Sequence, residues 1–303
     1  MTAHRYRSPE AFKQALEQRL RSASKSGTDF ARRRQLLVFA RFLARVAQVM
    51  GDTAILKGGL VLELRLKRAR TTRDIDLRLV GSPDDVLHRL QQAGRFDLGD
   101  FMTFEVRPDV EHPEIQNDGM KHDGLRYRTD GKLAGKLYGQ PFGVDVAFAD
   151  PILGEPDVIV TEDVLAFAGI APPSVRLYPI ESHIAEKLHA YTMPRGRENS
   201  RVKDFPDLAL LAKVREIHSG HLRQALEHTF AFRQAHPLPT FVPAPPASWE
   251  KVYLRMAEED GLEWRTLPAL VTAVRVFLDP VLGSADVGTW IPSAWDWIRR
   301  HER

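Results

Sequence analysis

The chain has 303 residues and no cysteine. That excludes disulfide staples and cysteine-ligated zinc, and it suits a reducing cytoplasm. No apolar run approaches the length of a membrane span, and the opening MTAHRYRSPEAFKQ lacks the apolar core of a signal segment. The expectation is therefore a cytoplasmic location with no membrane partner. Charge of one sign is also scarce, since 43 Lys and Arg face 40 Asp and Glu for a net charge of +3. With 43% hydrophobic and 27% charged residues, the composition is that of a globular chain able to bury a large core.

The small net charge hides an uneven distribution. Residues 1–50 hold 11 Lys or Arg and 3 Asp or Glu, so the first sixth of the chain is strongly basic and the rest is slightly acidic. ARRRQLLVFARFLARV reads by default as an amphipathic helix with a basic solvated face, and an attraction for nucleic acid can hold beside it. Helical spacing covers residues 9–23 and 29–50, with Ser8 as N-cap and Pro9 in the first turn. TAILKGG reads as a short strand ending at glycine, LVLELRL as a helix and DIDLRLV as an alternating strand. SPDDVLHRLQQAG is a capped helix closed by Gly94. FMTFEVRPDV, GLRYRTD, GKLAGKLYG and FGVDVAFAD follow as strands, expected to be antiparallel. From Thr161 the periodicity is helical, beginning with TEDVLAFAG, and the Pro-rich link HPLPTFVPAPPAS interrupts it once. The organisation predicted is α+β: a mixed-sheet α/β domain over 1–160, then an all-helical domain over 161–303.

One stretch concentrates chemistry. Gly58 and Gly59 stand between a strand and a helix, where backbone N–H groups can approach an anion. A tight turn alone would account for them. Asp74 and Asp76, one residue apart on a strand, project to the same side while Ile75 points inward. Two such carboxylates either guard an exposed edge or share a hard cation such as magnesium. Asp145, alternating with Val144 and Val146 in a strand with a central character, is an awkward place for a lone charge. A cation shared by Asp74, Asp76 and Asp145 would resolve it, and with a glycine turn for phosphates this is a layout for two-metal phosphoryl or nucleotidyl transfer.

The set LKGGLVLELRL, RTTRDIDL, VDVAF and IESHIAEKLHAYTMPRGRENSRVKDFPDLALL resembles the AbiEii-type and MenT-like toxins, within the nucleotidyltransferase superfamily of DNA polymerase beta. The likeness spans about residues 35–215. It implies a polymerase-beta-like fold and a toxin of a toxin–antitoxin system that transfers NMP from an NTP to the 3′ end of tRNA, releasing pyrophosphate. It also implies Mg2+ as cofactor and an antitoxin as partner. Under it, Lys57, Gly58 and Gly59 hold the triphosphate, and Asp74, Asp76 and Asp145 bind metal, with Asp145 nearest the acceptor. Lys187 reaches the nucleotide phosphates from the helical half, which thereby completes the cleft. Asp204 takes a base or positioning role, or else caps the helix that begins beside it. Pro206 stands where such toxins often carry an aromatic residue. Arg195, Arg197 and Arg201 form a loop that is either solvated or a set of phosphate contacts. His183 and His189, six residues apart, do not have helical metal-ligand spacing and are read as ordinary.

Two other functions fit parts of this pattern. A small-molecule nucleotidyltransferase acting on a cationic antibiotic would need an acidic cleft. A catalytically silent nucleic-acid-binding regulator would have no use for intact Asp74, Asp76 and Asp145.

Overall fold

The computed structural model describes residues 6–66, 72–81, 84–111, 114–115, 124–148, 152–196, 199, 201–283 and 286–299. Two helices open it, α1 (Pro9–Ala23) and α2 (Gly27–Met50). The expected cap is in place: Ser8 accepts a hydrogen bond from the Ala11 N–H at 3.2 Å. The chain continues through β1 (Ala54–Lys57), α3 (Gly59–Arg65), β2 (Ile75–Leu79), α4 (Val86–Arg95), β3 (Met102–Pro108) and β4 (Glu114–Ile115). It then forms β5 (Gly124–Leu133), β6 (Lys136–Leu137), β7 (Phe142–Ala147), β8 (Asp157–Val160) and β9 (Ser174–Leu177). These strands make one mixed sheet in the order β3-β5-β7-β2-β1-β9-β8, with β4 and β6 paired to β5. The β3-β5-β7 part is antiparallel as expected, whereas β2 runs parallel to β7 and β1 parallel to β9.

Alternation decides which face does what. Ile75, Leu77 and Leu79 of β2 and Val144 and Val146 of β7 are buried in a core shared with α1, α2 and α4. The residues between them, Asp76 and Asp145, point to the opposite face. Strands continue to Leu177, and residues 161–169, expected as a helix, carry only a one-turn 3-10 segment at Ala166–Ala168. Their apolar side chains are used differently: Val164, Leu165, Phe167 and Ile170 pack onto the first core, with Phe167 stacked on Phe12. Tertiary packing has overridden the local period.

The remaining elements are α5 (Ile180–Thr192), α6 (Asp204–Ala212), β10 (Ile217–His218), α7 (Ser219–Arg233), α8 (Trp249–Glu259), α9 (Leu267–Gly283), β11 (Thr289–Ile291) and β12 (Asp296–Ile298). This half is helical apart from the small β10-β11-β12 sheet. It has its own core, in which Trp290 is fully buried and donates its indole N–H to Ala212. Leu62 of α3 packs in that second core, so the short helix beside the glycine turn joins the two halves.

Two further sequence expectations change on contact with the fold. Gly94 does not close α4 but lies in its last turn, where a Cβ would sit 2.2 Å from the Phe104 carbonyl oxygen. It is there so that the helix can touch β3. The basic N-terminal segment is also less available than its composition suggests. Arg21 and Arg34 pair with Glu17, Arg33 with Asp29, and Arg32 with Glu63. Arg41 and Arg45 are buried on Asp100 at 2.6 and 2.5 Å. At least six of the eleven cations are therefore engaged within the fold.

Candidate active site

The face of the sheet opposite the first core floors a cleft of about 590 Å³ whose other wall comes from α5, α6 and α7. Strand register builds the floor. Lys57 of β1 lies opposite Asp76 of β2, Asp76 opposite Asp145 of β7, and Asp145 opposite Arg126 of β5. All four side chains line the cleft. The result is a row across four adjacent strands that reads cation, anion, anion, cation.

The two central acids strain this row. At a strand spacing of about 5 Å and an effective dielectric of about 20, two like charges repel by roughly 3 kcal/mol. Asp76 is enclosed by protein on most sides and open only to the cleft, and burial followed by the Asp145 charge pushes its carboxyl up to about 6. Lys57 and Lys187 act against that rise without cancelling it. Asp145 is answered by Arg126, whose Nε and Nη2 each donate to one carboxylate oxygen at 2.7 Å. Asp74, exposed at the start of β2, accepts from the Gly143 N–H at 3.1 Å.

The glycine turn is fixed by the same row. Gly58 has φ +71°, and a Cβ there would lie 1.9 Å from Asp76 Oδ2. Both conformation and space require glycine. Gly59 follows as the first, buried residue of α3.

From the other wall, Lys187 of α5 enters between two carboxylates of α6, 2.6 Å from Asp204 Oδ1 and 2.9 Å from Asp207 Oδ2. Asp204 does not cap its helix: Lys203 holds the N-cap position in helical conformation with no side-chain cap, and Asp204 turns to Lys187 instead. Arg201 stands 3.8 Å from Asp204 and also lines the cleft. Arg195 donates to the Ala190 carbonyl, and Arg197 lies outside the described residues. His183, buried at the back of the cleft, finds no hydrogen-bond partner for either ring nitrogen among the described residues. Burial, then the Lys187 charge, keeps it well below its ordinary value, so the imidazole is neutral.

The fold thus brings Lys57, Gly58, Gly59, Asp74, Asp76, Asp145, Lys187 and Asp204 to one cleft. Sequence reading missed three residues that hold them. Arg126 was visible only as part of a strand whose partner was unknown. Asp207 stands three residues after Asp204, a spacing that places both on one helix face. Glu186 joins Lys57 at 3.0 Å and Arg233 at 3.1 Å, contacts that no local pattern announces.

The donor set is all oxygen, directed into one cleft, with an acid raised by burial and then by the Asp145 charge, a cost that a cation would offset. In kind it fits a hard divalent cation. As the side chains stand, however, no three acidic or histidine groups among the described residues are gathered closely enough to hold one. Asp145 is turned to Arg126 and Asp74 to the Gly143 amide.

Comparison with solved structures defines the class of fold. The chain is similar to MenT4, a nucleotidyltransferase toxin from Mycobacterium tuberculosis, at TM-score 0.55 and 15% identity, over 93% of this chain and 92% of that one. JHP933 from Helicobacter pylori matches at TM-score 0.43 and 15% identity, over 81% of this chain and 92% of that one. A putative nucleotidyltransferase from H. pylori matches at 0.41 and 16%, over 82% and 91%. No curated protein sequence matches. Residues 41–274 match the family described as nucleotidyl transferase AbiEii toxin, type IV toxin–antitoxin system, and the chain belongs to that family. It is a nucleotidyltransferase toxin, and membership implies an antitoxin partner and an NTP substrate. No helix among the described residues is long and apolar enough to cross a membrane.

Proposed function

We propose that this toxin transfers a nucleoside monophosphate from an NTP to the 3′ end of tRNA in the cytoplasm, with Mg2+ as cofactor. The observation that carries the reading is the Asp76–Asp145 pair, side by side on a cleft floor beside a glycine turn that Asp76 itself forces. Asp74, Asp76 and Asp145 would hold the cation, which would polarise the phosphate oxygens and screen the charge of the leaving pyrophosphate. Gly58 and Gly59 let the triphosphate approach the backbone at the start of α3, and Lys57 and Lys187 supply positive charge on either side. The acceptor 3′-hydroxyl oxygen bonds to the α-phosphorus as the bond to the β-phosphate oxygen breaks. Its proton passes to the Asp145 carboxylate, and pyrophosphate leaves. Asp204 positions Lys187 through the 2.6 Å contact rather than meeting substrate.

The cleft volume falls within the range for nucleotide-sized ligands. Its walls carry Lys57, Arg126, Lys187, Arg201, Lys203 and Arg233 against five acids, which suits a polyanionic acceptor better than a cationic antibiotic. The attraction for RNA is assigned to these cleft cations, since much of the N-terminal charge is engaged internally. The test is total RNA incubated with each α-labelled NTP in turn. The expected result is label on a tRNA-sized band with one or more nucleotides, and none with Asp76→Asn. Label on an aminoglycoside and not on RNA would move the acceptor to the small-molecule class.

A further inference from the structure

Among the cleft cations Arg126 stands apart, because its contact with Asp145 is closely matched in geometry. The two residues face each other across β5 and β7, and the guanidinium covers both carboxylate oxygens at 2.7 Å each. A planar fork engaged in this way occupies the same lone pairs that a cation would use. Asp76, the next member of the row, has no arginine contact among the described residues and feels Lys57 and Lys187 instead. The contact is also accessible from the cleft: the Arg126 side chain is 36% exposed, while Asp145 beneath it is 16% exposed.

We infer that Arg126 is a latch on the metal site, holding Asp145 until a nucleotide's phosphates take the guanidinium in exchange. Metal and nucleotide then load together, and the cleft is kept from closing on a cation alone. The inference rests on the proposed nucleotidyl transfer and adds the order in which the site fills. Three features of the fold support it. The carboxylates line one cleft but are not gathered, and Asp145 is the one that Arg126 holds. Arg126 lines the same cleft as the glycine turn, so phosphates seated there come within its field. By linkage, whatever the nucleotide does to metal affinity the metal does equally to nucleotide affinity.

The experiment titrates the full-length protein with Mn2+ by calorimetry, with and without a non-hydrolysable NTP analogue. In wild type, the analogue should tighten Mn2+ binding by about tenfold or more, within the usual span of coupled sites. Without nucleotide, Arg126→Gln should bind Mn2+ about tenfold more tightly than wild type, and most of the analogue's effect should disappear. Arg126→Lys, which keeps the charge but makes one contact, should fall between. Arg128→Gln is the control for net charge, since Arg128 lies two residues along the same strand and pairs with Asp109; it should change Mn2+ affinity less than twofold. Unchanged or weaker binding in Arg126→Gln, or an equal gain in Arg128→Gln, overturns the latch and leaves nucleotidyl transfer standing. If Asp76→Asn binds Mn2+ as well as wild type does, the carboxylate row is not a metal site, and the latch falls together with the function it rests on.

Discussion

Asp100 and Asp145 both accept paired hydrogen bonds from arginine, one beneath the sheet and the other above it. Beneath, Arg41 and Arg45 converge on Asp100 in a fully buried knot, and Arg45 also reaches the Met102 carbonyl at 2.6 Å. Burial alone would raise the Asp100 carboxyl, but Arg45 and then Arg41 outweigh it and hold it below its ordinary value. Above, one arginine serves Asp145 in a pair of adjacent acids, and Asp76 is pushed up to about 6 by burial and then by the Asp145 charge, against the pull of Lys57 and Lys187. The lower site has more cations than anions and no opening. At the upper site Lys57 and Lys187 act on Asp76 without cancelling its rise, and the site faces a cleft. Local charge balance, rather than the presence of buried charge, separates an ion pair that holds the fold from one that awaits a ligand.

The sharpest break in this comparison is functional. Asp76→Asn should reduce nucleotidyl transfer by on the order of 1000-fold, about 4 kcal/mol of transition-state stabilisation, while the protein remains folded. Transfer near the wild-type rate would remove Asp76 from the metal site. The corresponding change below the sheet should do the reverse. Asp100→Ala strands two buried guanidiniums and should destabilise the fold by about 3–5 kcal/mol, read from urea unfolding. A loss under about 1 kcal/mol would mean that water or another acceptor replaces the carboxylate.

Lys187 belongs to both kinds of site. It answers two carboxylates of α6, one of them, Asp207, fully buried, and it also lines the cleft. Lys187→Ala should therefore lower the unfolding midpoint and weaken binding of a non-hydrolysable NTP by one to two decades, roughly 1.5–3 kcal/mol. Lys187→Arg should recover stability more fully than affinity, because a planar fork can meet the carboxylates without placing its charge where the ammonium stood. Unchanged affinity in both variants would confine nucleotide binding to the sheet face.

What could be read from sequence follows the same division. Asp76 faces the cleft because alternation within a strand is local, Asp74 lines the same cleft from the residue before β2, and the glycine turn and Lys187 lie in short contiguous motifs. Strand pairing is not local. Nothing in GLRYRTD says that Arg126 will stand opposite Asp145 rather than face solvent, nor that Lys57 will stand opposite Asp76. The arginines of α2 looked like a solvated basic face because Asp100, Glu63 and Glu17, which pair with them, are distant or unmarked in the chain. Gly94 looked like a helix stop for a similar reason, since the carbonyl that demands it belongs to another element. For Asp204 the cap stayed open beside a base or positioning role because its partner, Lys187, is seventeen residues earlier.

The smallest expected effect distinguishes the two regions by the sign of their pH dependence. Asp76 has a folded value of about 6 against an ordinary 3.8, so the folded state binds its proton more tightly than the unfolded one. Stability attributable to Asp76 is therefore greatest at low pH and declines as pH rises from about 4 to 6. Above that range the charged carboxylate costs on the order of 1–2 kcal/mol, allowing for its partial contact with water. Asp100 is depressed, so its contribution is complete above about 4 and is lost only as pH falls further. In the presence of a chelator, Asp76→Asn should accordingly be more stable than wild type at pH 7.5, and the difference should shrink steadily as pH is lowered from 6 towards 4. Asp100→Asn should be less stable than wild type across that whole interval. A stability gain in Asp76→Asn that does not change between pH 7.5 and 4 would show that the gain comes from packing, and that the two acids of the cleft floor do not repel as their register requires.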